Sequence, residues 1–157
     1  MMLPLLSTFV LAGAINTLPP TPSPPSFIRI EAHAPKAVLL LEVADTEPKR
    51  EYGLMFRTAL SPHNGMVFVF PGDGRQEFWM KNTLIPLDMV FVGADERVRS
   101  VAADVPQSSL QTPDSKVAVR VGRGKFVIEL PAGEARADGI HPGSYVRGIG
   151  TLKPLGF

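Results

Sequence analysis

The chain has no cysteine. That excludes disulfides, thiolate catalysis, cysteine-ligated zinc and iron–sulfur clusters, and lipid anchoring through an N-terminal cysteine. An excess of charge is also missing: 16 Lys and Arg stand against 15 Asp and Glu, a formal net charge of +1. A domain this close to neutral lacks the basic field of a nucleic-acid binder, so no nucleic-acid partner is expected. Neither a Gly-x-Ser-x-Gly elbow nor a phosphate loop is present, and residues 122–125 (GRGK) lack the Walker spacing.

Charge is absent from the whole N-terminal end, where the first ionisable side chain is Arg29. Residues 3–14 are almost wholly apolar and end in Ala12-Gly13-Ala14, a small-x-small pattern that signal peptidase accepts. Residues 1–14 therefore read as a signal peptide, and the run is too short to cross a bilayer, which takes about 20 residues. Residues 15–26 form a spacer that carries Pro19, Pro20, Pro22, Pro24 and Pro25. So many prolines favour extended polyproline II and exclude a helix or central strand. Residues 27–157 remain as one domain, large enough to bury a core without staples. The expected location is outside the cytoplasm, periplasmic or secreted, with no stable membrane span after processing.

Within that domain, short apolar runs alternate with turns. Residues 36–44 (KAVLLLEVA) read as a strand covered on both faces. Asp45 or Thr46 caps a short helix over 47–54, with Glu47 and Pro48 in its first turn. Strands follow at 65–70, 76–82, 87–92 and 97–105, with a turn at Pro71-Gly72-Asp73-Gly74 and a hairpin through residues 93–96. Residues 105–116 read as a loop. Further strands are expected at 117–121, 124–130 and 144–152, and a helix over 132–138 with Gly139 behind it. Seven to eight short strands and two short helices predict a mostly β fold, a β-sandwich or partly closed barrel. Without long βαβ crossovers, a parallel sheet is not expected.

Several segments together resemble a known family. They are Gly53-Leu54-Met55-Phe56-Arg57, Gly65-Met66-Val67-Phe68-Val69-Phe70, Phe78-Trp79-Met80-Lys81-Asn82-Thr83 and Pro86-Leu87-Asp88. Glu129-Leu130-Pro131-Ala132-Gly133 and Gly139-Ile140-His141-Pro142-Gly143 also fit. The chain is similar over roughly residues 38–146 to the domain of unknown function 192 family. The resemblance implies a β-sandwich-like fold, often exported or lipoprotein-linked in bacteria, and no settled activity. Members often carry cysteines in the loop that here spans 106–115, where this chain has Gln107, Ser108 and Ser109. Any redox role of that loop is thereby removed.

Charged residues inside apolar strands are the candidates for chemistry. In residues 87–92, alternation puts Leu87, Met89 and Phe91 on one face and Asp88, Val90 and Val92 on the other. A carboxylate there needs a partner, since burying it alone costs several kcal/mol. Arg57 and Lys81 are the natural cations, and Asn82 is an alternative donor. The pairing is either a structural ion pair or part of a ligand-contacting cluster. Glu129 repeats the pattern: it shares a face with Val127, opposite Phe126, Ile128 and Leu130. If both acids lie on one wall, Asp88 and Glu129 form a carboxylate pair suited to acid–base work. Trp79, the only tryptophan, lies on the face of Lys81, either packed in the core or exposed to a ligand.

His33, His63 and His141 are widely separated and show no zinc spacing, so no metal is expected. Met55, Met66, Met80 and Met89 have apolar neighbours, which favours core packing over copper. No motif calls for a cofactor. The preferred reading is a cell-envelope binding module for a small polar or anionic ligand, or a partner peptide of the envelope. Its candidate ligand-binding residues are Arg57, Trp79, Lys81, Asn82, Asp88 and Glu129. A structural or assembly protein is the alternative, and a hydrolase using Asp88 and Glu129 the second alternative.

Overall fold

The structure, a computed structural model, describes residues 22–156. The proposed leader (1–14) and the spacer up to residue 21 lie outside the described residues. One six-stranded sheet organises the described chain. Its strands are β1 (Arg29–His33), β2 (Val38–Ala44), β3 (Asn64–Trp79), β4 (Leu87–Val92), β5 (Val98–Val105) and β6 (Val119–Pro131). Their order across the sheet is β1-β2-β3-β6-β4-β5. The two helices are α1 (Glu47–Tyr52) and α2 (Glu134–Ala137). The mostly β class holds, with six strands in one open sheet.

The lower strand count has a local cause. The sequence suggests two strands around the turn at 71–74 and two more at 117–130. In the structure each pair is one long strand. β3 runs through Pro71–Gly74 as an irregularity: Val69 pairs with Phe126, and the next partners are Gly74 and Gly124. Five steps on β3 thus match two on β6, so the turn residues are absorbed as a bulge rather than spent on a reversal. The expected last strand at 144–152 makes only isolated bridges, Arg97 to Tyr145 and His33 to Arg147.

One parallel pair also departs from expectation. β2 and β3 run parallel, with Leu40 opposite Asn64 and Ala44 opposite Phe68. The connection over residues 45–63, including α1, is long enough for the crossover that parallel pairing needs. α1 starts where the sequence predicts: the Thr46 side chain accepts from the Lys49 amide at 3.4 Å, and Pro48 sits in the first turn. It stops at Gly53, which has φ 49° and favours the left-handed region at little cost.

Both faces of the sheet are covered, which explains why β2, β4 and β6 barely alternate. One face packs Leu41, Val43, Val67, Val90, Val92, Phe126, Ile128 and Leu130 under Ala135, Ile140 and Ile149 of the C-terminal segment. The other packs Ala44, Leu54, Met66, Phe68, Met80, Leu87, Met89, Phe91 and Val127. The expected alternation of β4 and β6 is therefore observed residue by residue. Met66, Met80 and Met89 are fully buried there, as the packing reading has it.

Candidate ligand-binding site

A single row of paired residues crosses the second face. Arg29, Glu42, Met66, Glu129, Met89 and Ala102 stand opposite one another on β1, β2, β3, β6, β4 and β5. Strict cross-strand pairing places all six on one side of the sheet. Glu129 thus sits mid-sheet, flanked by two methionines.

Above Glu129 lies a cavity of about 290 Å³. Glu129 forms part of its floor, α1 and the Gly53–Met55 turn one wall, Phe68, Phe70, Phe78 and Trp79 of β3 another, and Lys81 and Thr83 the rim. Such a size suits a ligand of amino-acid dimensions rather than a large cofactor. Phe78 meets Phe68 edge-on, with ring centroids 4.9 Å apart, which fixes the aromatic wall. Arg50 lies over Phe70 at 5.5 Å and donates to the Val69 carbonyl at 3.1 Å.

Glu129 is 5% exposed. Among the described residues its carboxyl group has no hydrogen-bond or ion-pair partner. Burial alone pushes its pKa up, from the usual 4.5 to about 8. At neutral pH it is therefore chiefly the neutral acid, able both to donate and to accept a hydrogen bond.

Around the rim, short-range contacts hold the segments that carry the side chains. Asn82 and Phe56 both have positive φ, 51° and 63°, and the Phe56 amide donates to the Asn82 carbonyl at 2.8 Å. The Asn82 side chain reaches the Met55 sulfur at 3.9 Å. Ser108 ties the 106–110 loop to the same place: its amide donates to the Thr83 carbonyl and its hydroxyl to that of Met80. Two left-handed non-glycine residues joined beside the rim residues Met55, Lys81 and Thr83 are a costly conformation that the surrounding contacts must enforce.

The sequence candidates therefore divide. Trp79, Lys81 and Glu129 line the cavity. Trp79 is 51% exposed, so of the two readings of its environment the exposed one holds. Lys81 lies 6.0 Å from the Trp79 ring and pairs with Asp114. Asn82 supports the rim. Arg57 lies elsewhere: it pairs bidentately with Glu42 and, with Arg29, lines a separate hollow. Burial pushes the Glu42 pKa up, but hydrogen bonds and charge from Arg57 and Arg29 outweigh that and leave it lowered.

Asp88 is a correction. Neither Arg57, Lys81 nor Asn82 is its partner. It is fully buried on the opposite face and accepts the Asp104 amide and the Ala135 amide, each at 2.9 Å. Its partners are backbone groups of β5 and the first turn of α2, invisible to a search for cations. The proposed pair with Glu129 fails for the same reason. Asp88 stands opposite Leu130, and Glu129 opposite Met89; adjacent register positions face opposite ways. The role of Glu42 was missed, although its place in the apolar 38–44 run was a signal.

Comparisons with known proteins agree with this architecture. No curated protein matches the chain. A solved structure from Sinorhizobium meliloti, described as a candidate transcription regulator, superposes with TM-score 0.68 at 31% identity, covering 80% of this chain and 97% of that one. A protein of unknown function from Novosphingobium aromaticivorans superposes with TM-score 0.62 at 32% identity, covering 78% and 85%. Residues 28–148, which hold the entire sheet and both helices, match the family model DUF192, described as "Uncharacterized ACR". The chain belongs to the DUF192 family.

Proposed function

We propose that the domain is a binding module for a small ligand with an apolar body and one amino or other N–H donor group, held in the aromatic cavity with the donor on Glu129. The observation that carries this reading is Glu129 itself: a buried, unpartnered carboxyl group at the floor of a cavity lined by aromatic rings. The carboxyl group opens onto the cavity and has no partner among the described residues, so a ligand donor placed there gains a hydrogen bond in a site of low dielectric. Charge favours a donor or cation over an anion: Glu47, Glu51 and Glu77 line the cavity against Arg50 and Lys81, and Lys81 is engaged by Asp114. The anionic half of the sequence expectation is therefore the weaker one. The apolar leader and proline-rich spacer support a setting in the cell envelope. A net charge of +1 gives no support to DNA binding.

Trp79 at the rim is the only tryptophan, so its fluorescence reports on the cavity directly. Benzylamine, benzamide and benzoate are the probes. Benzylamine is expected to shift Trp79 emission and raise the melting temperature, with benzoate inactive and the effect lost in Glu129→Leu, which removes the acceptor. Benzoate matching benzylamine, an unaltered response in Glu129→Leu, or no response to any probe refutes the reading.

A second reading rests on the ribbon that β3 and β6 form beyond the sheet. Trp79, Val119 and Val121 are 51%, 44% and 49% exposed. Trp79 pairs with Val119, and Glu77 with Val121, which puts the three apolar side chains on one face. That strip suits a peptide of a partner protein.

A further inference from the structure

His63, Glu134 and Asp138 are far apart in sequence and meet behind the β2–β3 crossover. His63 Nδ1 lies 2.9 Å from Glu134 Oε1 and 3.1 Å from Asp138 Oδ1. The second Asp138 oxygen is 3.2 Å away. One ligand atom from each residue falls within 4.8 Å of the other two. We propose that these three side chains bind a first-row divalent transition-metal ion.

Three features support a cation there. First, donor atoms about 2.0–2.2 Å from a common metal stand about 2.9–3.4 Å apart in cis positions, and the imidazole-to-carboxylate distances fall in that range. Second, Glu134 opens α2 and Asp138 directly follows it, one turn on; the His63 amide donates to Glu134 Oε1 at 3.2 Å, and a cation between the two carboxylates offsets their remaining repulsion. Asp138 is only 2% exposed, so water screens it poorly. Third, His63 Nδ1 faces three carboxylate oxygens but has at most one proton to give. A protonated imidazole brings one positive charge to two carboxylates, whereas a divalent ion balances both. One imidazole with two carboxylates is a borderline donor set that favours Zn²⁺, Co²⁺ or Mn²⁺ over Mg²⁺ and Ca²⁺. His63, about half exposed, leaves the outer side of the site open to water ligands. Bound there, the ion ties residue 63, whose carbonyl accepts the β2 amide of Leu40 at 2.8 Å, to α2.

The test uses the full-length purified protein, stripped with chelator and exchanged into chelator-free buffer at pH 7.5. Titration with Zn²⁺ and Mn²⁺ by calorimetry, and thermal melts with each ion and with Mg²⁺, give the readouts. One ion per chain is expected, with a melting temperature raised by about 5 °C or more at a hundredfold excess over Kd. Zn²⁺ affinity is expected to fall at least tenfold in His63→Ala and in Glu134→Gln. Both residues are partly accessible, so these variants keep the fold; Co²⁺ absorption adds a direct view of the ligand set. Absence of binding overturns the proposal and leaves an ion pair alone. Undiminished Zn²⁺ binding in both variants overturns it as well, because His33 or His141 would then be the ligand.

Discussion

Replacing Glu129 with glutamine removes one buried titration while keeping shape and hydrogen-bonding capacity. In the folded protein the carboxyl pKa is raised from 4.5 to about 8 by burial, so the native state holds this proton more tightly than the unfolded chain. Stability therefore carries no penalty from Glu129 below about pH 4.5. It declines as pH rises through the window up to about 8 and is level again above it. At about 1.4 kcal/mol per pH unit, the full penalty is roughly 5 kcal/mol, and water entering the cavity makes that a ceiling. Glu129→Gln has no such penalty. The variant is expected to match the wild type near pH 5 and to exceed it by up to about 4 kcal/mol at pH 9, or roughly 10–15 °C in melting temperature. Urea and thermal melts of both proteins at pH 5, 7 and 9 check this, since all other titrating groups cancel in the difference. Parallel pH profiles for the two proteins would refute the buried, partnerless state of Glu129.

Three further substitutions test the framework. Asp88→Ala leaves the Asp104 and Ala135 amides without their acceptor and is expected to cost about 2–5 kcal/mol in urea melts. Arg57→Ala is expected to cost only about 1 kcal/mol at pH 7, because the pair is partly screened. Glu42, with its lowered pKa, contributes stability above about pH 4.5 that is lost as pH falls, so that deficit closes toward pH 3. Gly65→Ala brings a methyl group 2.2 Å from the Glu129 carbonyl oxygen and 2.8 Å from a Leu130 methyl. Backbone cannot yield as a side chain can, and a loss of about 3 kcal/mol or more is expected, read as a fall in melting temperature.

Local chemistry determined a good deal on its own. The start of α1 at Thr46 and Pro48, and the alternation of residues 87–92 and 126–130, follow from capping preference and the two-residue period of a strand. Those patterns depend only on neighbours in sequence. Where β3 and β6 continue through their glycine-rich stretches, the sequence offered a turn and the tertiary structure a bulge, because long pairing across the sheet outweighs a local reversal. The site was legible only in part. That Trp79, Lys81 and Glu129 share a cavity, that Asp88 serves two backbone amides on the far face, and that His63 meets Glu134 and Asp138 were all decided by strand register and by the packing of α2. A one-residue change in register moves a side chain to the other side of a sheet, and periodicity within one strand carries no information about the strand beside it.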